Sequence, residues 1–250
     1  QASANEALAS PPLQGDVSTD VVVIGAGFTG LSAGLELAEA GYRVVVLEAG
    51  TVGSGASGRN GGQMIAGISG EPNIKRQLGE AGSRLLRDIR YRGHDLIEER
   101  VRRYGIECDL KHGWMEAAAR PSHMNSLRGY VEERLAEGDG DQIEIVEPQD
   151  MGSVLGTSIY HGGYIDRRSG HLHPLNLCMG EARAAAGLGV KIFEDSAAIE
   201  LKAGAKPYAV TASGRVDATA IVLGGSTDHP FQRGPLKGLT LPTGSYIIAT

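Results

Sequence analysis

Three glycines, Gly25, Gly27 and Gly30, stand in G-x-G-x-x-G spacing, and an acid, Glu48, follows 18 positions after the last of them. That pattern suits a dinucleotide. The first glycine permits a tight turn, the second lets backbone approach a pyrophosphate, and the third lets a helix pack closely on a strand while its N-terminus faces the phosphates. Glu48 would accept hydrogen bonds from the adenosine ribose hydroxyls, and its charge disfavours a 2′-phosphate, so NADP is a poor occupant. The triplet alone means little, because in a chain with 37 glycines among 250 residues chance supplies about 0.8 such matches. A second match, Gly53, Gly55 and Gly58, opens no apolar-periodic helix and is not read as a second fingerprint. What lifts the first is its context: a β-branched run before it, a helical pattern after it, and Glu48 closing the next β-branched run.

The loop that follows, GSGASGRNGGQ at 53–63, is polar and glycine-rich. Backbone amides in such a loop make sense beneath a long cofactor that runs onward from its pyrophosphate. This favours FAD over NAD, whose folds continue with alternating helices and strands. His171 and His173 are two apart with no third ligand at helix or turn spacing, so no metal is expected; they mark the entry to a helix, with Pro174 in its first turn. Asp139 and Asp141 resemble a fragment of a calcium loop but lack its twelve-residue spacing, and a plain turn is expected. There is no G-x-S-x-G nucleophile elbow.

These groups need elements to hold them. Asp20–Ile24, then LSAGLELAEAG with Leu31, Gly34, Leu35 and Ala38 at helical spacing, then YRVVVLEAG read as strand, helix and strand. That is a βαβ unit in a parallel sheet. Residues 74–104 return to a helical pattern interrupted by Gly79, Gly82 and Gly93. Their arginines (Arg84, Arg87, Arg90, Arg92, Arg100, Arg102, Arg103) are read as a solvated face among acids. Short strand-like pieces around Trp114, a helix to about Ala136, an acidic loop at 138–148, a helix over 171–188 and four successive β-rich stretches complete the chain as far as 225. Residues 1–18 lack periodicity and are expected to form an arm over the surface.

Composition bounds the possibilities. A net charge of −6, from 24 basic and 30 acidic residues, argues against a nucleic-acid footprint. No apolar run approaches the roughly 18 residues of a membrane span, and no export signal is visible, although the chain starts at Gln1. Cys108 and Cys178, without C-x-x-C spacing, read as free thiols in a reducing compartment, so a cytoplasmic protein is expected.

Taken together, DVVVIGAGFTGLSAGLELAEAGYRVVVLEAG, GASGRNGGQ, GGYIDRRSGHLHPLNL and LPTGSYIIAT resemble the D-amino-acid-oxidase-like FAD oxidoreductases, and among these the gamma-glutamylputrescine oxidase group most of all. The resemblance implies an α/β chain with a glutathione-reductase-like, Rossmann-type FAD domain at 19–75 and 150–225. This domain is interrupted by an α+β substrate domain at 76–149 and 226–250. It implies that Ala56, Ser57, Arg59, Asn60, Gly61, Gly62 and Gln63 lie along the pyrophosphate, ribityl chain and isoalloxazine, and that Ala198 and Gly224 approach the cofactor. Gly25, Gly27, Thr29, Gly30, Glu48 and Ala49 would complete its binding set. Asn60, Gln63, His171 and Tyr246 are the candidates for facing the substrate; no general base is named.

The activity implied is oxidation of a C–N bond in an amine, whether a gamma-glutamylated polyamine, a secondary amine or an amino acid. Hydride passes to flavin N5, the imine hydrolyses, and oxygen or another acceptor takes up the electrons, giving peroxide in the case of oxygen. Family chains continue well beyond Thr250, so a C-terminal remainder or a partner chain is expected to complete the site. Two other classes stay open: an NAD-dependent dehydrogenase on the same βαβ unit, and a non-catalytic FAD-binding subunit.

Overall fold

The computed structural model describes residues 3–226. It divides into two compact units: unit 1 comprises 1–61, 100–108 and 173–250, and unit 2 comprises 62–99 and 109–172. The elements in chain order are β1 (Val17–Ser18), β2 (Val21–Ile24), α1 (Phe28–Glu39), β3 (Val44–Leu47), β4 (Gln63–Met64), α2 (Glu71–Ile89), α3 (Arg92–Tyr104), β5 (Lys111–Ala117) and α4 (Pro121–Ala136). They continue with β6 (Ile143–Val146), α5 (Met151–Leu155), β7 (Gly163–His171), α6 (Pro174–Gly187), β8 (Lys191–Phe193), β9 (Glu200–Lys202), β10 (Tyr208–Val210), β11 (Arg215–Asp217) and β12 (Ala220–Leu223).

Unit 1 is built on a parallel sheet in the order β12-β2-β3-β8. The runs VVVI and VVVL of β2 and β3 are buried along their whole length, as strands covered on both faces must be. Their alternation sorts them between two cores. Val21, Val23, Val44 and Val46 pack with Leu31, Leu35, Cys178, Ala182 and Ala185 of α1 and α6. Val22, Ile24, Val45 and Leu47 face the other way, toward Ala209, Val216 and Leu13. That second layer is the sheet β1-β11-β10-β9. The N-terminal segment is therefore not a surface arm throughout: Leu13 is 1% exposed, its amide donates to Ser196 Oγ at 2.9 Å, and Val17–Ser18 pairs in parallel with β11. An apolar side chain that completes a core outweighs the absence of any periodic pattern around it.

Unit 2 holds a mostly antiparallel sheet in which β7 is central, paired with β5 along one edge and with β4 and β6 along the other. α4 packs on one face, where Met124, Leu127 and Val131 meet Ile143, Tyr164 and Trp114. Strand β6 lies inside the stretch read as an acidic loop, and the nine-residue β7 was not anticipated as a strand at all. Unit 2 takes 62–75 and 150–172, which the sequence reading had grouped with the FAD domain, whereas 100–108 falls in unit 1.

Two of the seven arginines are not solvated. Arg90 and Arg100 are 6% and 7% exposed. Arg90 reaches Glu137 at 2.6 Å and Asp139 at 3.2 Å. Arg100 ties to two helices of unit 1, donating to Ser32 Oγ at 2.9 Å and Glu36 at 2.8 Å on α1 and to Glu181 at 2.8 Å on α6. A charge run read as one exterior face contains two members whose partners lie far along the chain, and burial is tolerable only because those partners are acids. The interruption expected from glycine is real at Gly79, where φ +58 and ψ −139 break the helical course of α2.

Candidate functional site

The glycine triplet sits where β2 gives way to α1. Gly25 has φ +99, and a side chain there would meet the Gly224 carbonyl oxygen at 2.9 Å. At Gly30 a Cβ would lie 1.9 Å from the Gly25 carbonyl oxygen and 3.2 Å from Val23, so helix and strand approach at the distance only glycine allows. Gly27 forms the N-cap of α1 but has no side chain to cap with. The cap comes from elsewhere: the Phe28 amide donates to Ser57 Oγ at 3.0 Å.

Glu48, at the end of β3, accepts the Ala26 amide on Oε2 at 2.7 Å and the Gly50 amide on Oε1 at 2.9 Å. A carboxylate offers about four acceptor positions, so two are spent on orientation and two are left for a ligand. The strand end is held in turn by 193–196: the Glu48 amide donates to Phe193 O at 2.9 Å and the Ser196 amide donates to Glu48 O at 2.7 Å.

Around these groups lies a cavity of about 750 Å³ lined by Gly25, Gly27, Thr29, Glu48, Ala49, Ala56, Ser57, Ala198 and Gly224, all anticipated from sequence. It is also lined by residues outside that set, among them Gly50, Gly53, Ser54, Gly55, Ala197 and Ser226. The discarded second triplet shares the stereochemistry of the first. Gly53 has φ +67, and a Cβ on Gly58 would stand 2.2 Å from the Gly53 carbonyl oxygen. Instead of a long helix it opens the single 3-10 turn Ala56–Gly58. The loop at 53–63, read from its composition as lying beneath the cofactor, contributes Gly53, Ser54, Gly55, Ala56 and Ser57 to the cavity wall.

Other candidates fall elsewhere. Gly30 is buried in the helix–strand contact. Asn60 donates through Nδ2 to Ala56 O at 3.1 Å and Ser57 O at 2.8 Å, which fixes the 3-10 turn. Arg59, Asn60, Gly61, Gly62 and Gln63 do not line the cavity; Gly62 and Gln63 belong to unit 2. His173 is the N-cap of α6, its Nδ1 accepting the Asn176 amide at 3.2 Å, and His171 ends β7 in unit 2. Tyr246 lies outside the described residues. Among those described, no cluster of His, Cys, Asp and Glu could hold a metal ion, and no helix is long and apolar enough to cross a membrane.

The residues present fit an extended dinucleotide. Two turns carry glycines whose Cβ atoms would strike backbone, a helix N-terminus opens beside them, and an oriented carboxylate stands at the end of the neighbouring strand.

A family model, DAO: FAD dependent oxidoreductase, matches residues 20–250. The chain is 38% identical to the probable oxidoreductase OrdL of Haemophilus influenzae, over 99% of this chain and 59% of that protein. It is 35% identical to the gamma-glutamylputrescine oxidoreductase of Escherichia coli, over 100% of this chain and 59% of that protein. The chain thus spans about three-fifths of the length of these relatives. Among solved structures, the L-amino acid deaminase of Proteus myxofaciens in complex with anthranilate aligns with a TM-score of 0.72 at 23% identity, over 89% of this chain and 48% of that one. Glycine oxidase from Geobacillus kaustophilus gives 0.65 at 24% identity, over 84% and 55%. At such identities the likeness establishes the fold.

Proposed function

Because the chain belongs to the DAO family of FAD-dependent oxidoreductases, we propose that it forms the cofactor-binding part, and some of the substrate-binding part, of an enzyme that oxidises a C–N bond in an amine or amino acid. A gamma-glutamylated polyamine is the favoured substrate. One observation carries the cofactor half of this reading: Glu48, tied to the Ala26 and Gly50 amides, faces a cavity walled by two glycine turns. The amine half is supported by relatives whose names give gamma-glutamylputrescine and glycine as what they act on.

In this reading unit 1 holds FAD and unit 2 contributes to substrate binding. Glu48 accepts from the ribose hydroxyls, the Gly25–Gly30 turn and the α1 N-terminus take the pyrophosphate, and the backbone at Ala198 lies along the adenine. Ser57 and Asn60 act by position, the first capping α1 and the second holding the 3-10 turn that carries Ala56 and Ser57. Bound FAD supplies the two-electron acceptor that no side chain here provides. The protein orients the donor carbon and excludes water. The buried thiol of Cys178 supports a cytoplasmic location.

The test is anaerobic mixing of the full-length FAD-loaded protein with gamma-glutamylputrescine, glycine, an N-methyl amino acid and a 2-hydroxy acid, followed by admission of oxygen and a peroxide assay. Bleaching of the flavin band by at least one amine and not by the hydroxy acid is expected. Bleaching by the hydroxy acid alone overturns the proposal.

A further inference from the structure

In unit 2, α4 covers one face of the sheet. Side chains of directly paired residues in an antiparallel ladder share a face. Trp114, Tyr164, Ile143 and Ile145 therefore stand together, and these are the residues that pack with α4. The opposite face carries the alternate positions. At one end of it, Gln63 pairs with His171, and His171 pairs with Lys111, so three residues from three distant segments form one row across β4, β7 and β5. All three are exposed. Beyond a register shift between His112 and Trp114, Met115 pairs with Ile165, both half-buried, on the face opposite Trp114 and Tyr164, with Glu144 beside them on the β6 edge and bonded to Arg167 at 2.7 Å.

Each member of the row can present a donor. Lysine offers three N–H donors and a fixed charge, the glutamine amide two donors, and the imidazole one in either neutral tautomer. No acid occupies a position within the row. An acceptor-only group with two oxygens matches it, and charge-assisted hydrogen bonds of this kind are the strong ones. The adjoining Met115–Ile165 strip suits a methylene chain.

We propose that Lys111, with His171 and Gln63, binds the carboxylate of the amine substrate, while Met115 and Ile165 carry its carbon chain. This deepens the amine-oxidation reading and rests on it. Lys111 is thereby a specificity residue. The sequence alone singled out Gln63 and His171 but not Lys111, because only the strand register brings it opposite them.

The experiment compares, in full-length FAD-loaded protein, anaerobic flavin reduction by gamma-glutamylputrescine and by 4-aminobutanoylputrescine, which is the same molecule without its α-carboxylate. In parallel, glutarate is titrated calorimetrically against the oxidised protein. Wild type is expected to bind the carboxylate-bearing amine at least tenfold more tightly. Lys111→Met should abolish that preference, with the loss read in the dissociation constant and not in the limiting rate, and should weaken glutarate by a similar factor; Lys111→Arg should restore most of it. Equal weakening of both amines by Lys111→Met, or no effect on either, overturns the proposal. If neither amine reduces wild type, the gamma-glutamylated-polyamine reading falls, and the glutarate titration still decides whether the row binds carboxylate.

Discussion

Glu48 and Ala26 are joined by a 2.7 Å hydrogen bond from the Ala26 amide to Oε2. The acid at the end of β3 is thus fixed by the same glycine turn that would hold the phosphates. The two halves of the dinucleotide signature, which are 18 residues apart from Gly30 to Glu48, are one hydrogen-bonded unit in space. Parallel pairing of Val21–Ile24 with Val44–Leu47 brings them there.

Glu48→Gln separates orientation from charge. The amide can keep one backbone donor, but its NH₂ must then face the other, leaving an N–H without an acceptor at a cost of about 1–3 kcal/mol. FAD affinity is expected to fall at least tenfold while the fold persists. Fluorescence-quenching titration with FAD measures the first, and thermal unfolding of the FAD-free protein the second.

The two glycine turns make a matched set of variants. In Gly30→Ala the new carbon lies 1.9 Å from Gly25 O, and in Gly58→Ala 2.2 Å from Gly53 O, both against backbone that cannot step aside. Each should cost about 3 kcal/mol or more. Gly55 has φ −82 and nothing within 4 Å of its Cβ position, so Gly55→Ala should change stability by less than about 0.5 kcal/mol. Chemical denaturation of the three variants checks the ordering; a stable Gly58→Ala would mean that the second turn is not held as described.

These contacts mark what a sequence can display. The β-branched runs of β2 and β3 and the first glycine turn are local patterns, so the parallel sheet was legible. Strand β7 was not, because its middle is Asp166, Arg167, Arg168 and Ser169. Asp166 is 4% exposed and is satisfied by the amides of Arg168 and Ser169 at 2.9 and 3.1 Å and by Ser169 Oγ at 2.9 Å. A buried polar strand shows no period-2 apolar signal. Leu13, Arg90 and Arg100 escaped for a related reason: each is buried by partners more than about 40 residues away, and no window along the chain contains both.

Glu137 should make unit 2 sensitive to acid. Burial works against its charge, but the hydrogen bond from Arg90 and the charges of Arg90, Lys75 and Arg134 outweigh it and hold the carboxyl below the usual glutamate value. A depressed acid contributes stability that is present above its unfolded value, about 4.5, and is lost as pH falls through the folded one. Denaturant unfolding of wild type should therefore lose stability below about pH 4.5 more steeply than Glu137→Gln, whose stability is lower at neutral pH and flatter across that window. Parallel curves for the two proteins would show that Arg90 does not discriminate the charged form.

The thiol of Cys178 reports on the same loop that walls the cavity. Cys178 is fully buried, and burial pushes its thiol up to about 12. A Cβ added to Gly53 would stand 3.0 Å from its Cβ, so the second glycine turn lies directly over it. With little thiolate and no access, Cys178 should not react with an aromatic disulfide reagent at pH 8 on the timescale of minutes, and it should react at once in denaturant. FAD should slow labelling of Cys178 further, because exposing it requires the Gly53 turn to lift away from α6, and a ligand held by that turn opposes the opening. Labelling of Cys178 at an unchanged rate with saturating FAD would mean that the turn takes no part in holding the cofactor.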